Sequence, residues 1–353
     1  MKKVLLTGGG TAGHVTPNIA LMPYLKELGF EISYMGSYNG IEKSLIEELD
    51  VPYTGIDSGK LRRYMSLQNL KDPFHVLRGF QEAERYMKKN RPDVVFSKGG
   101  FVAVPVVYAA HKEKIPVIIH ESDLSPGLAN KLCIGKADIA CYSFPETEGA
   151  MKNAKESICT GLPVRDELLK GDRKKGLEFC GFEEEKPSLM IIGGSLGSVK
   201  VNEFVRAALP QLLENFNVIH LCGRDKVDES ISYPGYIQFE YINEELPDLY
   251  AAADVLISRA GSNVIHEIVS LKKPSILIPL DLNASRGDQI ENAQSFKKQG
   301  FCEVLREAEI TRDTLYETVN SVYKNRSSYI EAMENSHQAN SAKTIADLIA
   351  RLA

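Results

Sequence analysis

The chain has 353 residues, 43% of them hydrophobic and 25% charged, with a formal net charge of -5. That length accommodates two domains with separate cores, and the composition excludes a disordered or fibrous chain. The acidic balance excludes a general nucleic-acid binder, which needs a basic surface to meet phosphates.

Six cysteines (Cys133, Cys141, Cys159, Cys180, Cys222, Cys302) are scattered without a C-x-x-C pair. Reduced, mostly buried thiols are expected, rather than metal ligands or disulfides. A strand directly after Met1 is expected to leave no room for a signal peptide. No apolar run approaches the ~18 residues that span a bilayer, so any membrane contact is expected to be peripheral.

In chain order, short runs rich in Val, Ile and Leu predict strands at Lys3–Thr7, Glu31–Met35, Val94–Ser97, Val117–His120 and Ile139–Ser143, with a shorter one near Ile158. A second series follows at Leu189–Ile192, Val218–Leu221, Ile237–Tyr241, Val255–Ser258, Ser275–Ile278 and Glu303–Leu305. Stretches of helical period separate them. Continuous apolar strands alternating with helices predict parallel sheets covered on both faces, and two series predict two doubly wound α/β domains. Thr160-Gly161-Leu162-Pro163-Val164 punctuates the boundary, giving domains of 1–162 and 163–335. The end of the chain is helical in pattern without further strands.

Both series open on a glycine loop. Val4-Leu5-Leu6 runs into Gly8-Gly9-Gly10-Thr11-Ala12-Gly13-His14 and then a helix near Pro17–Leu25. Leu189–Ile192 runs into Gly193-Gly194-Ser195-Leu196-Gly197-Ser198 and another helix. Strand, glycine turn and helix N-terminus together offer backbone N–H groups to a phosphate. Two more glycine turns, Lys98-Gly99-Gly100 and Ala260-Gly261-Ser262, also follow strands. One such turn can be purely structural, but ligands of open α/β sheets bind where strands end.

Gly8, Gly10 and Gly13 fit G-x-G-x-x-G, the dinucleotide fingerprint. That fingerprint needs an acid at the end of the second strand for a ribose, and Tyr34-Met35-Gly36-Ser37 has none. The NAD reading is therefore weak. A better ribose ligand is Glu267, about two helical turns beyond Gly261, whose carboxylate can accept from two hydroxyls. Asp288 and Gln289, after the Pro279-Leu280 strand end, offer donors and acceptors suited to sugar hydroxyls.

Gly8–His14, His120-Glu121-Ser122-Asp123, Thr160–Arg165, Gly193–Ser198, Arg259–Glu267 and Asp288–Ala293 occur in an order and spacing that resembles the MurG family over essentially the whole chain. This is a bacterial family of family 28 glycosyltransferases. The resemblance implies the GT-B architecture, with two Rossmann-like domains facing across a cleft and a C-terminal helix, about 336–353, returning to the first domain. It implies inverting transfer of N-acetylglucosamine from UDP-N-acetylglucosamine to the C4 hydroxyl of undecaprenyl-diphosphate-MurNAc-pentapeptide, in peptidoglycan synthesis.

By the same resemblance, the second domain holds the donor and the first the lipid acceptor. Ser195 and Arg165 would contact the donor diphosphate, Ile242 the uracil through its backbone, Glu267 the ribose, and Gln289 with Asp288 the sugar hydroxyls. Asn263 belongs to the same donor site, and Thr11, Ala12 and Gly13 would meet the transferred sugar. Gly9, Gly10, Asp123 and Asn130 would serve the acceptor. Ala12 stands where relatives have glycine, Asp123 where many have Asn, and Asp288 where Gln or His is found. Other cell-wall synthesis proteins are expected partners, at the cytoplasmic face of the cell membrane.

A single in-line displacement needs a base for the acceptor hydroxyl and stabilisation of the departing UDP. His14 titrates near neutral pH and is the first candidate base; Asp123 is the second. No D-x-D pair occurs in the chain, so neither a metal nor another cofactor is expected. The helix start after Gly197, with Ser195 and Arg165, would hold the diphosphate instead. The stretch Lys60–Arg91 has nine basic residues against three acidic ones, interleaved with apolar side chains. That mixture suits adsorption to an anionic leaflet, and equally suits amphipathic helices packed on the sheet. A diacylglycerol glycosyltransferase and a UDP-N-acetylglucosamine 2-epimerase are the rival readings.

Overall fold

Val4, Leu5 and Leu6 are all fully buried, because β1 (Lys2–Thr7) lies inside a sheet that is covered on both faces. The structure, a computed structural model, describes residues 1–59, 72–193, 197–282, 287–336 and 340–353. They divide into two units, Met1–Arg165 with Asn340–Ala353, and Asp166–Ala339.

In the first unit β1 is joined by β2 (Phe30–Ser37), β3 (Tyr53–Ile56), β4 (Val94–Ser97), β5 (Val117–Glu121), β6 (Ile139–Tyr142) and β7 (Glu156–Cys159). The order is β3-β2-β1-β4-β5-β6-β7, and every pairing is parallel. The helices are α1 (Thr16–Glu27), α2 (Ile41–Glu47), α3 (Asp72–Asn90), α4 (Ala103–Lys112) and α5 (Leu128–Cys133). Successive strand residues point to opposite faces. Val4 and Leu6 therefore join Leu21 and Leu25 of α1, while Leu5 joins Ala83 and Met87 of α3 and Val106 and Ala110 of α4.

The second unit repeats the plan with α6 (Arg173–Cys180), β8 (Ser188–Ile192), α7 (Val199–Asn215), β9 (Asn217–Leu221), β10 (Tyr236–Phe239), α8 (Leu246–Ala252) and β11 (Val255–Ser258). It continues through α9 (Ser262–Ser270), β12 (Ser275–Leu277), α10 (Asp288–Lys298), β13 (Cys302–Val304), α11 (Arg312–Lys324) and α12 (Arg326–Glu334). Its order is β10-β9-β8-β11-β12-β13, again parallel. The last helix, α13 (Ser341–Leu352), belongs to the first unit: Ile345, Ala346 and Ile349 are buried in the cluster shared by β1 and α1.

The two parallel-sheet α/β units and the returning C-terminal helix are those expected. Tyr53–Ile56 has no counterpart among the expected strands. It pairs with β2 at the sheet edge, three of its four residues are only half-buried, and its centre is a glycine. An edge strand so short carries no continuous apolar signal. All six cysteines are free and five are buried, Cys159 being the exposed one. Among the described residues no helix is long and apolar enough to cross a membrane.

Candidate functional site

In both sheets the strand order reverses beside the first strand, between β1 and β4 and between β8 and β11. Crevices at such reversals, beyond the carboxyl ends of the strands, are where open α/β sheets bind ligands. The four glycine turns lie there. Gly8–Gly10 follows β1, Gly99-Gly100 follows β4, Gly193 follows β8, and Gly261 follows β11.

The first turn is held by a residue that periodicity does not mark. Glu42, at the start of α2, is fully buried. Its Oε1 accepts from the Ser37 N–H at 2.9 Å and from the Ser37 hydroxyl at 2.5 Å, and its Oε2 accepts from the Gly10 N–H at 3.1 Å. A Cβ on Gly9, Gly36 or Gly40 would overlap this side chain. Burial opposes ionisation of Glu42, but the donors from Ser37 and Gly10 outweigh it and hold its pKa below the usual range. An acid does reach the end of β2, contributed five residues later. The Gly10 N–H is consequently engaged by the chain itself and not open to a phosphate.

His14 ends a 3-10 turn, Ala12–His14, that leads into α1. Its Nδ1 lies 3.0 Å from the Gly9 carbonyl and 3.2 Å from the Thr11 hydroxyl. Burial lowers its pKa to about 4; the Lys98 charge adds to this, while Glu121 and Glu42 oppose it. The imidazole is therefore neutral at pH 7. A carbonyl can only accept, so Nδ1 carries the hydrogen and Nε2 keeps its lone pair. Thr11 is exposed, and Ala12 and Gly13 are half-buried.

Beside it, Lys98 at the end of β4 is 1% exposed and donates from Nζ to the Ser122 hydroxyl at 2.9 Å. Burial lowers its pKa to about 8, against the pull of Glu121 and Asp123. Glu121 is buried and accepts at Oε1 from the N–H groups of Ser122 and Asp123, and at Oε2 from Gly127 N–H and Asn130 Nδ2. Asn130 also donates to the His120 carbonyl, so its amide fastens the β5 end, while its buried Oδ1 has no partner among the described residues. The structure thus brings His14, Lys98, Glu121 and Asp123 to one side of the first sheet. Arg165 is half-buried at the last position of this unit, and its buried Nε has no hydrogen-bond partner among the described residues.

In the second unit Arg259 is 7% exposed, and each nitrogen of its guanidinium is engaged. It donates to the Ser198 hydroxyl from Nη2 at 2.7 Å and Nε at 3.1 Å, to the Ile278 carbonyl at 3.1 Å, and pairs with Glu307 at 2.7 Å. Ser198 in turn caps α7 through the Val201 N–H. Arg259 therefore fixes Ser198, at the start of α7, against the ends of β11 and β12. Glu267, half-buried on α9, lies 3.4 Å from the Tyr250 hydroxyl. Asn263 is in the first turn of the same helix, and Ile242 is half-buried in the loop after β10. Gln289 lies in the first turn of α10, its Oε1 accepting from the Leu280 N–H at 3.1 Å, while its amide N–H groups have no acceptor among the described residues. Ser195 lies outside the described residues, as do Lys60, Arg62, Arg63 and Lys71.

Glu42 and Glu307 are absent from the residues singled out by sequence, and Lys98 and Arg259 stand there only as parts of glycine-turn motifs, with no role assigned. A lysine placed immediately before a glycine pair at a strand end, and a Glu flanked by Gly36 and Gly40, are the signals that could have found two of them.

Two parallel-sheet units with glycine turns at both reversals fit the architecture of a two-domain glycosyltransferase, and the family models identify the chain as one. Residues 4–141 match the glycosyltransferase family 28 N-terminal domain and residues 188–349 its C-terminal domain. The chain is 57% identical over 350 residues to a UDP-N-acetylglucosamine–N-acetylmuramyl-(pentapeptide) pyrophosphoryl-undecaprenol N-acetylglucosamine transferase of Lachnospira eligens, covering 99% of each chain. It is 58% identical to the protein of the same name from Lachnoclostridium phytofermentans, covering 99% of this chain and 98% of that one. The crystal structure of Acinetobacter baumannii MurG superposes with a TM-score of 0.79 at 28% identity, covering 99% of this chain and all of the other. The chain belongs to the MurG family of glycosyltransferase family 28.

Proposed function

We propose that the chain transfers N-acetylglucosamine from UDP-N-acetylglucosamine to the C4 hydroxyl of undecaprenyl-diphosphate-linked N-acetylmuramoyl-pentapeptide, with inversion, in peptidoglycan synthesis. The observation that carries this is full-length identity of 57% and 58% to proteins bearing that activity in their names. The rival epimerase and diacylglycerol readings have no comparable support.

The donor is assigned to the second unit. Glu267 accepts from the ribose hydroxyls, Ile242 meets the uracil, and Asn263 and the Gln289 amide N–H groups hold the sugar side. Ser195, the start of α7 and Arg165 take the diphosphate, whose charge suits a helix N-terminus. Thr11, Ala12 and Gly13 are assigned to the transferred sugar, and Gly9, Gly10, Asp123 and Asn130 to the acceptor. With the Gly10 N–H bound to Glu42, Gly10 serves the acceptor by its shape rather than its N–H.

His14 is the preferred base. Its neutral ring, with the hydrogen on Nδ1, presents Nε2 as a proton acceptor. Asp123 remains the second candidate. For the membrane-bound acceptor, α3 presents exposed Phe74 and Leu77 beside Arg78, a mixture that suits an anionic leaflet at the cytoplasmic face.

The test is incubation with radiolabelled UDP-N-acetylglucosamine and a polyprenyl-diphosphate-MurNAc-pentapeptide analogue. Label in the lipid fraction is expected. Label in free ManNAc, in UDP-ManNAc or in added diacylglycerol would refute the reading. His14→Ala should lower kcat about 100-fold or more, in line with loss of a general base, with UDP-N-acetylglucosamine binding nearly unchanged. Donor binding lost in step with turnover would remove the base role.

A further inference from the structure

The peptide group joining Gly9 and Gly10 is gripped at both ends by side chains from different elements. Its N–H donates to Glu42 Oε2 at 3.1 Å, and its carbonyl accepts from His14 Nδ1 at 3.0 Å. A buried carboxylate, an amide and an imidazole thus stand in line. We propose that Glu42 is a positioning residue that acts through this peptide group, holding His14 in the tautomer with a bare Nε2 and strengthening that nitrogen as a base. This rests on the reading of His14 as the base.

The physical reason is polarisation. A carboxylate drawing on an amide N–H pushes electron density toward the carbonyl oxygen, which then accepts a hydrogen bond more strongly. The imidazole Nδ1–H gives up more of its positive character to that oxygen, and Nε2 gains proton affinity. It is the logic of a carboxylate orienting a catalytic histidine, with one peptide group inserted between them.

The seat is built for this arrangement. Gly9, Gly36 and Gly40 leave room around the Glu42 carboxylate, and a Cβ on Gly100 would overlap the Gly9 carbonyl. Ser37 occupies the other carboxylate oxygen twice, so Glu42 cannot swing away from Gly10 without losing both of those bonds. His14 Nε2 makes no hydrogen bond among the described residues. The charged groups that act on the ring are Lys98 from the end of β4, which lowers its proton affinity, and Glu121 of β5 and Glu42 of α2, which raise it. Glu42 alone among them is joined to the ring through a hydrogen-bonded peptide.

The experiment is nitrogen-15 NMR of the histidine rings in the full chain, paired with steady-state kinetics. In the unmodified protein His14 should show the Nδ1–H tautomer at pH 7; finding the Nε2–H tautomer overturns the proposal without any variant. Glu42→Gln keeps the shape and removes the charge. It should raise the Nε2–H population severalfold, lower kcat about tenfold, leave KM for UDP-N-acetylglucosamine within about twofold, and move the acid limb of kcat/KM to lower pH. A folded Glu42→Gln protein with unchanged tautomer and acid limb refutes the relay. Should that variant not fold, Ser37→Ala removes one bond to Glu42 and should shift the tautomer in the same direction by a smaller factor; no shift there refutes it too. A tautomer shift without a change in kcat supports the relay and instead removes His14 from the role of base.

Discussion

Arg259 Nη1 and Glu307 Oε1 lie 2.7 Å apart, and both side chains are buried. The same guanidinium holds the Ser198 hydroxyl, so an ion pair on one side of the second sheet secures the residue that caps α7. Breaking a buried pair by deleting one partner leaves an uncompensated charge, at a cost of about 3–5 kcal/mol. Arg259→Met should therefore destabilise the second unit by up to that amount, Lys200 still meeting Glu307, in urea unfolding followed by far-UV circular dichroism. Lys200, which reaches the other Glu307 oxygen at 2.6 Å from a largely exposed position, should matter far less when changed to Ala. Equal losses in the two variants would contradict this division.

Lys98 gives a prediction of opposite sign to Glu42. Its buried ammonium lowers the pKa of His14, adding to the larger effect of burial. Lys98→Met removes that charge at similar length. The His14 pKa should rise from about 4, so the neutral ring is lost at a higher pH and the acid limb of kcat/KM moves up. An acid limb that stays in place or moves down, in a folded protein, would separate Lys98 from His14.

Glu267 should bind the nucleotide part of the donor and not only the sugar. A hydrogen bond to a charged group contributes about 1.5–3 kcal/mol, so Glu267→Ala should weaken UDP itself roughly tenfold or more. Titration calorimetry with UDP measures this directly. Unchanged affinity would remove the ribose contact.

What the sequence made legible was whatever repeats. Apolar runs such as Val4-Leu5-Leu6 and Leu189–Ile192 mark strands buried on both faces, and the glycines after them mark the crevices. Tyr53–Ile56 escaped because an edge strand has no such run. Glu42 escaped for a different reason: a buried carboxylate reads as an ordinary helix-start acid until the fold brings Ser37 and Gly10 to it. Arg259 likewise stands in the sequence only as the residue before a glycine turn, and its donors prove to be spent on Ser198, Ile278 and Glu307. Long-range partners of charged side chains have no periodicity to betray them.

His220 should make the second unit sensitive to acid. Its Nε2 lies 3.0 Å from Asn202 Oδ1 and its Nδ1 3.0 Å from the Tyr236 hydroxyl, a network satisfied by a neutral ring. Burial, helped by the Arg206 charge, lowers its pKa to about 3. The unfolded chain takes up the proton near pH 6.5 and the folded one does not. The stabilisation is therefore complete above that pH and declines as pH falls toward about 3, by up to ~1.4 kcal/mol per pH unit. Unfolding free energies at several pH values should show a shallower decline in His220→Gln. An identical slope would mean that other groups set the acid sensitivity.

On α3 the sequence left two readings open, and the described half of the stretch divides between them. Gly79, Ala83 and Met87 are buried, so one face packs on the first unit as an ordinary amphipathic helix does. Phe74 and Leu77 are 74% and 54% exposed, three residues apart on the helix, and Arg78 beside them is exposed and paired, among the described residues, with Glu82 of the same helix. Two large apolar side chains in water next to a cation suit insertion at a lipid headgroup boundary. The Phe74→Ser and Leu77→Ser double variant should lose most co-sedimentation with anionic phospholipid vesicles while keeping its thermal midpoint, since neither side chain contributes to the core. Arg78→Glu should weaken binding less, and its effect should shrink as salt is raised, because attraction to the leaflet is screened. Vesicle binding unchanged in the double variant would leave α3 as packing alone.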